Sequence, residues 1–401
     1  MKFDPSSRIQ DNLVFGEFGD VNPSITDSST YTFLSPERME ELFDHEIEGC
    51  FLYSRHWNPI NKYLSDALAK MEDSETAIVT ASGMSAISCS ILQLCGCGDE
   101  LISSRTVYGG TYALFKNFLP KVGINTHFVD ITDLDAVKSA INNKTKIIYT
   151  ESISNPLLEV ADIPELRKIA DQHGIKLIVD NTFSPMVLSP LRLGAHVVVH
   201  SLTKFINGTS DCVAGCICSD KEFINHLTDI NSGATMLLGP VLDSYRAASI
   251  LKNLHSLHIR MQKHSANALY IAEHLEKAGM KVFYPGLPSH KQYKLLTKLV
   301  NPGFGHSGML AMDAYDVDTA KKLMALLQDE KVGYLAVSLG YFKTLFSLPS
   351  HSTSSEIPDE EQHSMGLSEG LVRMSIGLDN DIDRSFQRIK KCLVQLNLVK
   401  E

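Results

Sequence analysis

The stretch HSLTKFINGTSD, residues 200–211, decides how this chain is read. It continues VVV at 197–199, a β-branched run of the kind that makes a buried strand. Lys204 follows at once, among small hydroxyl residues and ahead of Gly208. Lysine normally keeps its ammonium in water. An amine at the carboxyl end of a central strand therefore needs a chemical reason, and the surrounding sequence supplies one.

Upstream, helix-like and strand-like segments alternate. NKYLSDALAKME (61–72), GMSAISCSILQL (83–94), YALFKNFLPKV (112–122), a short segment at 134–141 and PELRKIADQHG (164–174) carry helical patterning. TAIVT (76–80), ELISS (100–104), THFVD (126–130), KIIYTE (146–151), KLIVDNT (176–182), AHVVVHS (195–201) and CVAGCICS (212–219) read as strands. This alternation predicts an α/β fold, a mostly parallel central sheet with helices on both faces. Residues 241–279 read as one long helix with no internal proline. Beyond it, KVFYPG (281–286), GMLAMDAY (308–315) and VRMSIGL (372–378), with helices at 317–329 and 382–396, predict a smaller C-terminal α/β domain. HSTSSEIPDEEQHSMG (351–366) reads as a surface loop. The expected organisation is an N-terminal arm over 1–57, a large domain over 58–245 and a C-terminal domain over 246–401 that begins with a linking helix.

The formal net charge of −10 argues against nucleic acid or an anionic membrane as partner, since both require clustered Lys and Arg. No apolar run approaches the roughly 20 residues that span a bilayer. The polar start MKFDPSSRIQD has no signal-peptide core, so cytoplasmic residence is expected. Two C-x-C pairs, Cys95/Cys97 and Cys216/Cys218, lack the spacing of a zinc site and read as small buried hydrophobes in a reducing compartment. His255 and His258 lie one helical turn apart, but in a stretch better read as a solvated or packed face. No metal is expected.

In an open parallel sheet, ligands collect past the carboxyl ends of the strands. TAIVT is followed by Ser82, Gly83, Met84 and Ser85 at a helix start, where backbone N–H groups and the helix dipole favour an anion. ELISS leads to Tyr108 before paired glycines, KIIYTE to Asn155, KLIV to Asp180, and VVVH to Ser201, Thr203 and Lys204. A phosphate can rest on the Gly83–Met84 turn with the Ser201 and Thr203 hydroxyls beside it. Lys204 can form a Schiff base with an aldehyde. A strand-end carboxylate can keep a pyridine nitrogen protonated, and a tyrosine can stack on the ring. Those are the parts of a pyridoxal-phosphate (PLP) site. Singly, each has a plainer explanation: a solvated rim lysine, a helix-capping Asp. Their joint occurrence on successive strand ends carries the reading.

With these segments in view, the chain resembles the Cys/Met-metabolism PLP enzymes, from about residue 45 to 397. That family includes cystathionine β- and γ-lyases, methionine γ-lyase, cystathionine γ-synthase and O-acetylhomoserine sulfhydrylase. SLTKFINGTSD is similar to the family's S-x-T-K-[YF]-x-x-G-x-x-D, with Lys204 as the Schiff-base residue. YSRHWNP (53–59) resembles Y-x-R-x-x-N-P, which implies Tyr53 and Arg55 on the cofactor phosphate, reaching it from a neighbouring subunit. ASGMSAI, VYGG, SNP and VDNTF imply the phosphate turn at Ser82, Gly83 and Met84, the stacking Tyr108, Asn155 near the ring hydroxyl and Asp180 under the ring nitrogen. SLG (338–340) and LVRMSIGL (371–378) imply Ser338 and Arg373 at the substrate carboxylate. The resemblance implies PLP fold type I and a homotetramer of two tight dimers, with the N-terminal arm serving the neighbour's site.

The activity implied is a carbon–sulfur lyase acting on a small sulfur amino acid. Lys204 serves as general base and acid, and Tyr108 as proton donor to the departing sulfur. Cystathionine or a related thioether is the substrate expected. Methionine γ-lyase and γ-replacement with sulfide or a thiol stay open beside it. Four positions depart from subfamily patterns: Gly110 where methionine γ-lyases usually carry Cys, Val337 where cystathionine γ-enzymes often carry an acid, Lys343 where the family has Glu, and Thr209 in place of a common His. A dinucleotide-binding oxidoreductase would need G-x-G-x-x-G after its first strand, and ASGMS lacks that spacing. A non-catalytic scaffold has no use for Lys204, Asp180, Arg373, Tyr108 and Arg55 together.

Overall fold

The computed structural model describes residues 3–16, 19–33, 35–44, 49–352 and 357–400. Its larger sheet has seven strands: β1 Thr76–Thr80, β2 Glu100–Ser104, β3 Asn125–Val129, β4 Thr145–Glu151, β5 Lys176–Asp180, β6 Val197–Ser201 and β7 Gly215–Ser219. They lie in the order β1-β7-β6-β5-β4-β2-β3. Strands β2 to β6 are parallel to their neighbours among themselves, and β7 is antiparallel to both β1 and β6. Helices cover both faces, so the central strands are apolar throughout: Ile147, Ile148, Leu177, Ile178, Val179, Val198 and Val199 are fully buried.

The reversal at β7 follows from its connection. A parallel return requires a crossover that is usually helical, and 202–214 contains no helix. The chain instead doubles back: Leu202 N–H donates to Ala214 O at 3.0 Å, and Ser201 pairs with Gly215. The segment carrying Lys204 is thus a loop tied at both ends to the carboxyl edge of β6.

A second sheet consists of β8 Val282–Phe283, β9 Met309–Asp313, β10 Gly333–Leu335, β11 Thr344–Ser347 and β12 Leu371–Ser375, ordered β10-β11-β12-β9-β8. Helices Leu257–Lys277, Val317–Asp329 and Ile382–Gln395 accompany it around a core of Leu310, Met312, Leu323, Phe346, Val372, Met374 and Leu393. The expected mixed α/β architecture with a smaller second sheet is the one observed.

Several details differ from the sequence reading. The long helix is two helices, Ser244–Leu254 and Leu257–Lys277. At the break, Arg260 Nη2 donates to Asn253 O at 2.9 Å, beside Ser256 Oγ, which donates to the same carbonyl at 3.1 Å. The surface loop at 351–366 contains a helix, Asp359–Ser364, and Ile357 is buried, because this apolar residue has a core to enter; 353–356 lie outside the described residues. Cys97 is exposed at a turn, unlike its buried partner Cys95. Strands β10 and β11 carry no alternation long enough to have announced them.

Candidate active site

One cavity of about 260 Å³ opens over the carboxyl ends of β4, β5 and β6. Ser82, Gly83, Met84, Tyr108, Asn155, Asp180, Ser201, Thr203, Lys204 and Arg373 all line it. The structure therefore brings together ten of the thirteen residues singled out from sequence. Ser338 touches it through Lys204, whose Nζ donates to Ser338 Oγ at 3.2 Å. Tyr53 and Arg55 are exposed elsewhere on the chain, with Arg55 lining a separate cleft alongside Trp57 and Pro240.

The loop around Lys204 is braced from three sides. Arg260 donates to Phe205 O and, at 2.8 Å, to Ile206 O. Thr203 Oγ1 accepts from Ala214 N–H at 3.0 Å. From the connection between β10 and β11, Gly340 lies on the Lys204–Phe205 backbone. A Cβ there would come within 2.4 Å of Phe205 N, and its φ of +80° is one that glycine adopts without strain. Burial, and then the charge of Arg373, bring the Lys204 amine down to about 8.

Helix Gly83–Leu94 starts at the edge of the same cavity. Ser82 and Ser85 form a reciprocal capping box, each hydroxyl accepting the other's backbone N–H at 3.0 Å. The first-turn N–H groups have no partners within the helix. A Cβ on Gly83 would meet Ser201 Cβ at 2.7 Å, so only glycine lets the turn sit against β6. The result is a donor-lined cradle suited to a phosphate.

Asp180 stands at the floor. Its Oδ1 accepts from Thr182 N–H at 2.9 Å, and Tyr149 O–H donates to Oδ2 at 3.4 Å. Burial pushes this carboxyl above its usual range, against the pull of its hydrogen bonds. A cation against it would restore the charge. On the opposite face of the sheet, His200 Nε2 lies 2.7 Å from Glu72 Oε1, to which Asn181 Nδ2 donates at 3.1 Å. Asn181 Oδ1 in turn accepts from Ser152 and Ser184, each at 2.8 Å. This buried network pins the ends of β4, β5 and β6 relative to one another.

Arg373 arrives from β12 and is buried. Its Nη1 donates to Asn155 Oδ1 at 3.0 Å, and burial lowers it to about 10. Tyr108 leaves its ring half-exposed at the cavity, folded over Gly110, where a Cβ would stand 2.5 Å from the ring. The departure at Gly110 thus has a consequence: any side chain there displaces the Tyr108 ring. Val213, Val337 and Leu339 add an apolar wall.

Glu151, Tyr149, Thr182 and Arg260 escaped the sequence reading. An acid ending the otherwise apolar strand KIIYTE was a signal for Glu151. Nothing local marked the others. Among the described residues no cluster of three His, Cys, Asp or Glu side chains is arranged for a metal. None of the described helices is long and apolar enough to cross a membrane.

A buried amine, an anion cradle and a buried carboxylate around one cavity fit pyridoxal phosphate in both charge and donor set. The comparisons agree. The Arabidopsis thaliana methionine gamma-lyase is 44% identical over 388 residues, covering 95% of this chain and 88% of its own. The O-succinylhomoserine sulfhydrylase of Pseudomonas aeruginosa is 35% identical, with 91% and 89% coverage. A solved putative O-acetylhomoserine (thiol)-lyase from Campylobacter jejuni, carrying a pyridoxyl-lysine phosphate, superimposes with a TM-score of 0.90 at 29% identity, covering 98% of this chain and 100% of its own. The profile described as Cys/Met metabolism PLP-dependent enzyme matches residues 8–388, and the chain belongs to that family.

Proposed function

We propose that this chain is a carbon–sulfur lyase that cleaves methionine by α,γ-elimination: methionine and water yield methanethiol, 2-oxobutyrate and ammonia. The observation that carries the choice of substrate is the wall of Val213, Val337 and Leu339 beside Lys204 and Arg373, which suits an uncharged thioether tail better than the second amino-acid group of cystathionine. The similarity to the Arabidopsis methionine gamma-lyase supports it.

When bound, pyridoxal phosphate supplies the electron sink that makes loss of the Cα proton feasible. The protein does the rest. Arg373 grips the α-carboxylate, helped by Asn155 and Ser338. The Lys204 amine, its affinity for protons lowered by burial, takes the Cα proton and serves again as acid. Asp180 holds positive charge above the floor of the site. Ser82, Gly83, Met84, Ser201 and Thr203 hold the anion, and Tyr108 donates a proton to the departing sulfur. The test is product analysis on the loaded protein with methionine, cystathionine and O-acetylhomoserine. Methanethiol with 2-oxobutyrate from methionine is the expected result. Pyruvate from cystathionine, with methionine untouched, would overturn the choice of substrate. γ-Replacement is the second reading: the Tyr108-Gly109-Gly110 turn resembles the sulfhydrylases or the cystathionine lyases, and sulfide-dependent thiol product from O-acetylhomoserine would reveal it.

Tyr53 and Arg55 complete the cradle from a partner copy in this reading. Their exposure, and the exposed apolar side chains Leu237, Leu238, Val241 and Tyr245 near the Arg55 cleft, support it. Arg55→Ala and Lys204→Ala chains, each nearly inactive, should therefore complement when mixed subunits reassemble. Random pairing in a two-fold dimer leaves one intact site in half the dimers, so about a quarter of wild-type activity should return. If nothing returns although mixed dimers form, the shared site is wrong.

A further inference from the structure

We propose that Glu151 is a positioning residue of this site, one carboxylate that sets both Tyr108 and the Asn155–Arg373 pair for an incoming amino acid; this rests on the reading of the cavity given above. Glu151 ends β4 directly beside Asp180 on β5 and is 6% exposed. Its two oxygens are divided between two loops. Oε1 accepts the backbone N–H of Tyr108 at 2.7 Å, and Oε2 accepts that of Asn155 at 2.7 Å. Both contacts are shorter than ordinary amide hydrogen bonds.

Each contact has a consequence in the cavity. Tyr108 caps the helix Gly109–Ala113 without any side-chain capping bond of its own, so its backbone is tied down from the neighbouring strand. Asn155, held by its N–H, presents Oδ1 to Arg373 Nη1 at 3.0 Å. Arg373 comes from the other sheet, and among the described hydrogen bonds this is the one its guanidinium makes to the protein. The guanidinium's heading therefore depends on Asn155, whose heading depends on Glu151.

Burial and the adjacent Asp180 push the Glu151 carboxyl up to about 8, while the two N–H groups and Arg373 pull the other way. Tyr149, also beside Asp180, stays protonated well above its usual range. An acid kept in so unfavourable a place, with both oxygens committed to loops that line the cavity, fits a geometric task.

Glu151→Gln keeps the shape but turns one acceptor oxygen into a donor facing a donor, so one of the two contacts is lost. Two unreactive probes on the cofactor-loaded protein, read by the change in cofactor absorbance, separate the outcomes. Norleucine carries the α-carboxylate, and 3-(methylthio)propylamine lacks it. Norleucine should bind about tenfold more weakly to the variant, the amine with unchanged affinity. Hydrogen exchange, followed by mass spectrometry, should quicken at Tyr108 or Asn155. Equal weakening of both probes, or no change in either, overturns the proposal. Should the variant not fold, exchange in the wild-type protein decides: protection of both N–H groups supports the role, and exchange at exposed-loop rates refutes it. None of these readouts needs turnover, so a protein inactive on all sulfur amino acids would sink the proposed function and leave this result legible.

Discussion

Lys204→Ala is expected to lower turnover by more than about 10³-fold and to abolish the absorbance of covalently held cofactor at the same time. The two losses go together because, in the proposed mechanism, one amine serves both the attachment and the proton transfer. Borohydride should fix pyridoxal phosphate to the wild-type chain and not to the variant. A yellow, active Lys204→Ala protein would end the assignment. The wild-type amine offers a second check. Burial and Arg373 disfavour the ammonium, bringing the group to about 8. At pH 7 roughly a tenth of it is then neutral, against less than one in a thousand for an ordinary lysine. Uptake of pyridoxal phosphate by the apoprotein should accordingly rise with pH through about 8 and then level. A rate still climbing near pH 10 would mean a solvated lysine.

Asp180→Asn should cost about 10²- to 10³-fold in kcat while leaving the fold intact. The amide oxygen can still accept from Thr182 N–H, so the local geometry survives and the charge does not. The stability effect has the opposite sign. Burial raises the carboxyl of Asp180 above its unfolded value, so its ionised form disfavours folding above that unfolded value. The neutral amide removes this cost, and the apoprotein should melt no lower than wild type at pH 7. A variant that unfolds early would give Asp180 a structural role instead. One that keeps activity within tenfold of wild type would remove it from the mechanism.

The candidate site was legible to the extent that it sits at strand ends. Lys204, Asp180, Asn155, Tyr108 and the Ser82–Met84 turn each follow a run whose strand character is local and β-branched or aliphatic. A mostly parallel sheet delivers all those ends to one edge, so separate signals along the chain become neighbours in space. Glu151 belongs to the same edge but reads as the polar end of a strand. Its meaning depends on its register with Asp180 and on two loops folding back onto it. Arg260 reads as one more basic residue on an amphipathic helix, yet it both covers the helix break and braces the loop behind Lys204.

Local periodicity and residue chemistry, which are properties of neighbouring positions, determined the order of elements, the α/β class and the kinds of groups awaiting a ligand. Distances between remote positions are not encoded that way. Only the packed chain decided that Arg373, from a second sheet, meets Asn155 across 218 residues. Only the packed chain decided that Glu151 is desolvated between two donors, and that Tyr53 and Arg55 lie outside their own chain's cavity. Burial and hydrogen bonding act through space, and they set the charges on which the chemistry of this site depends.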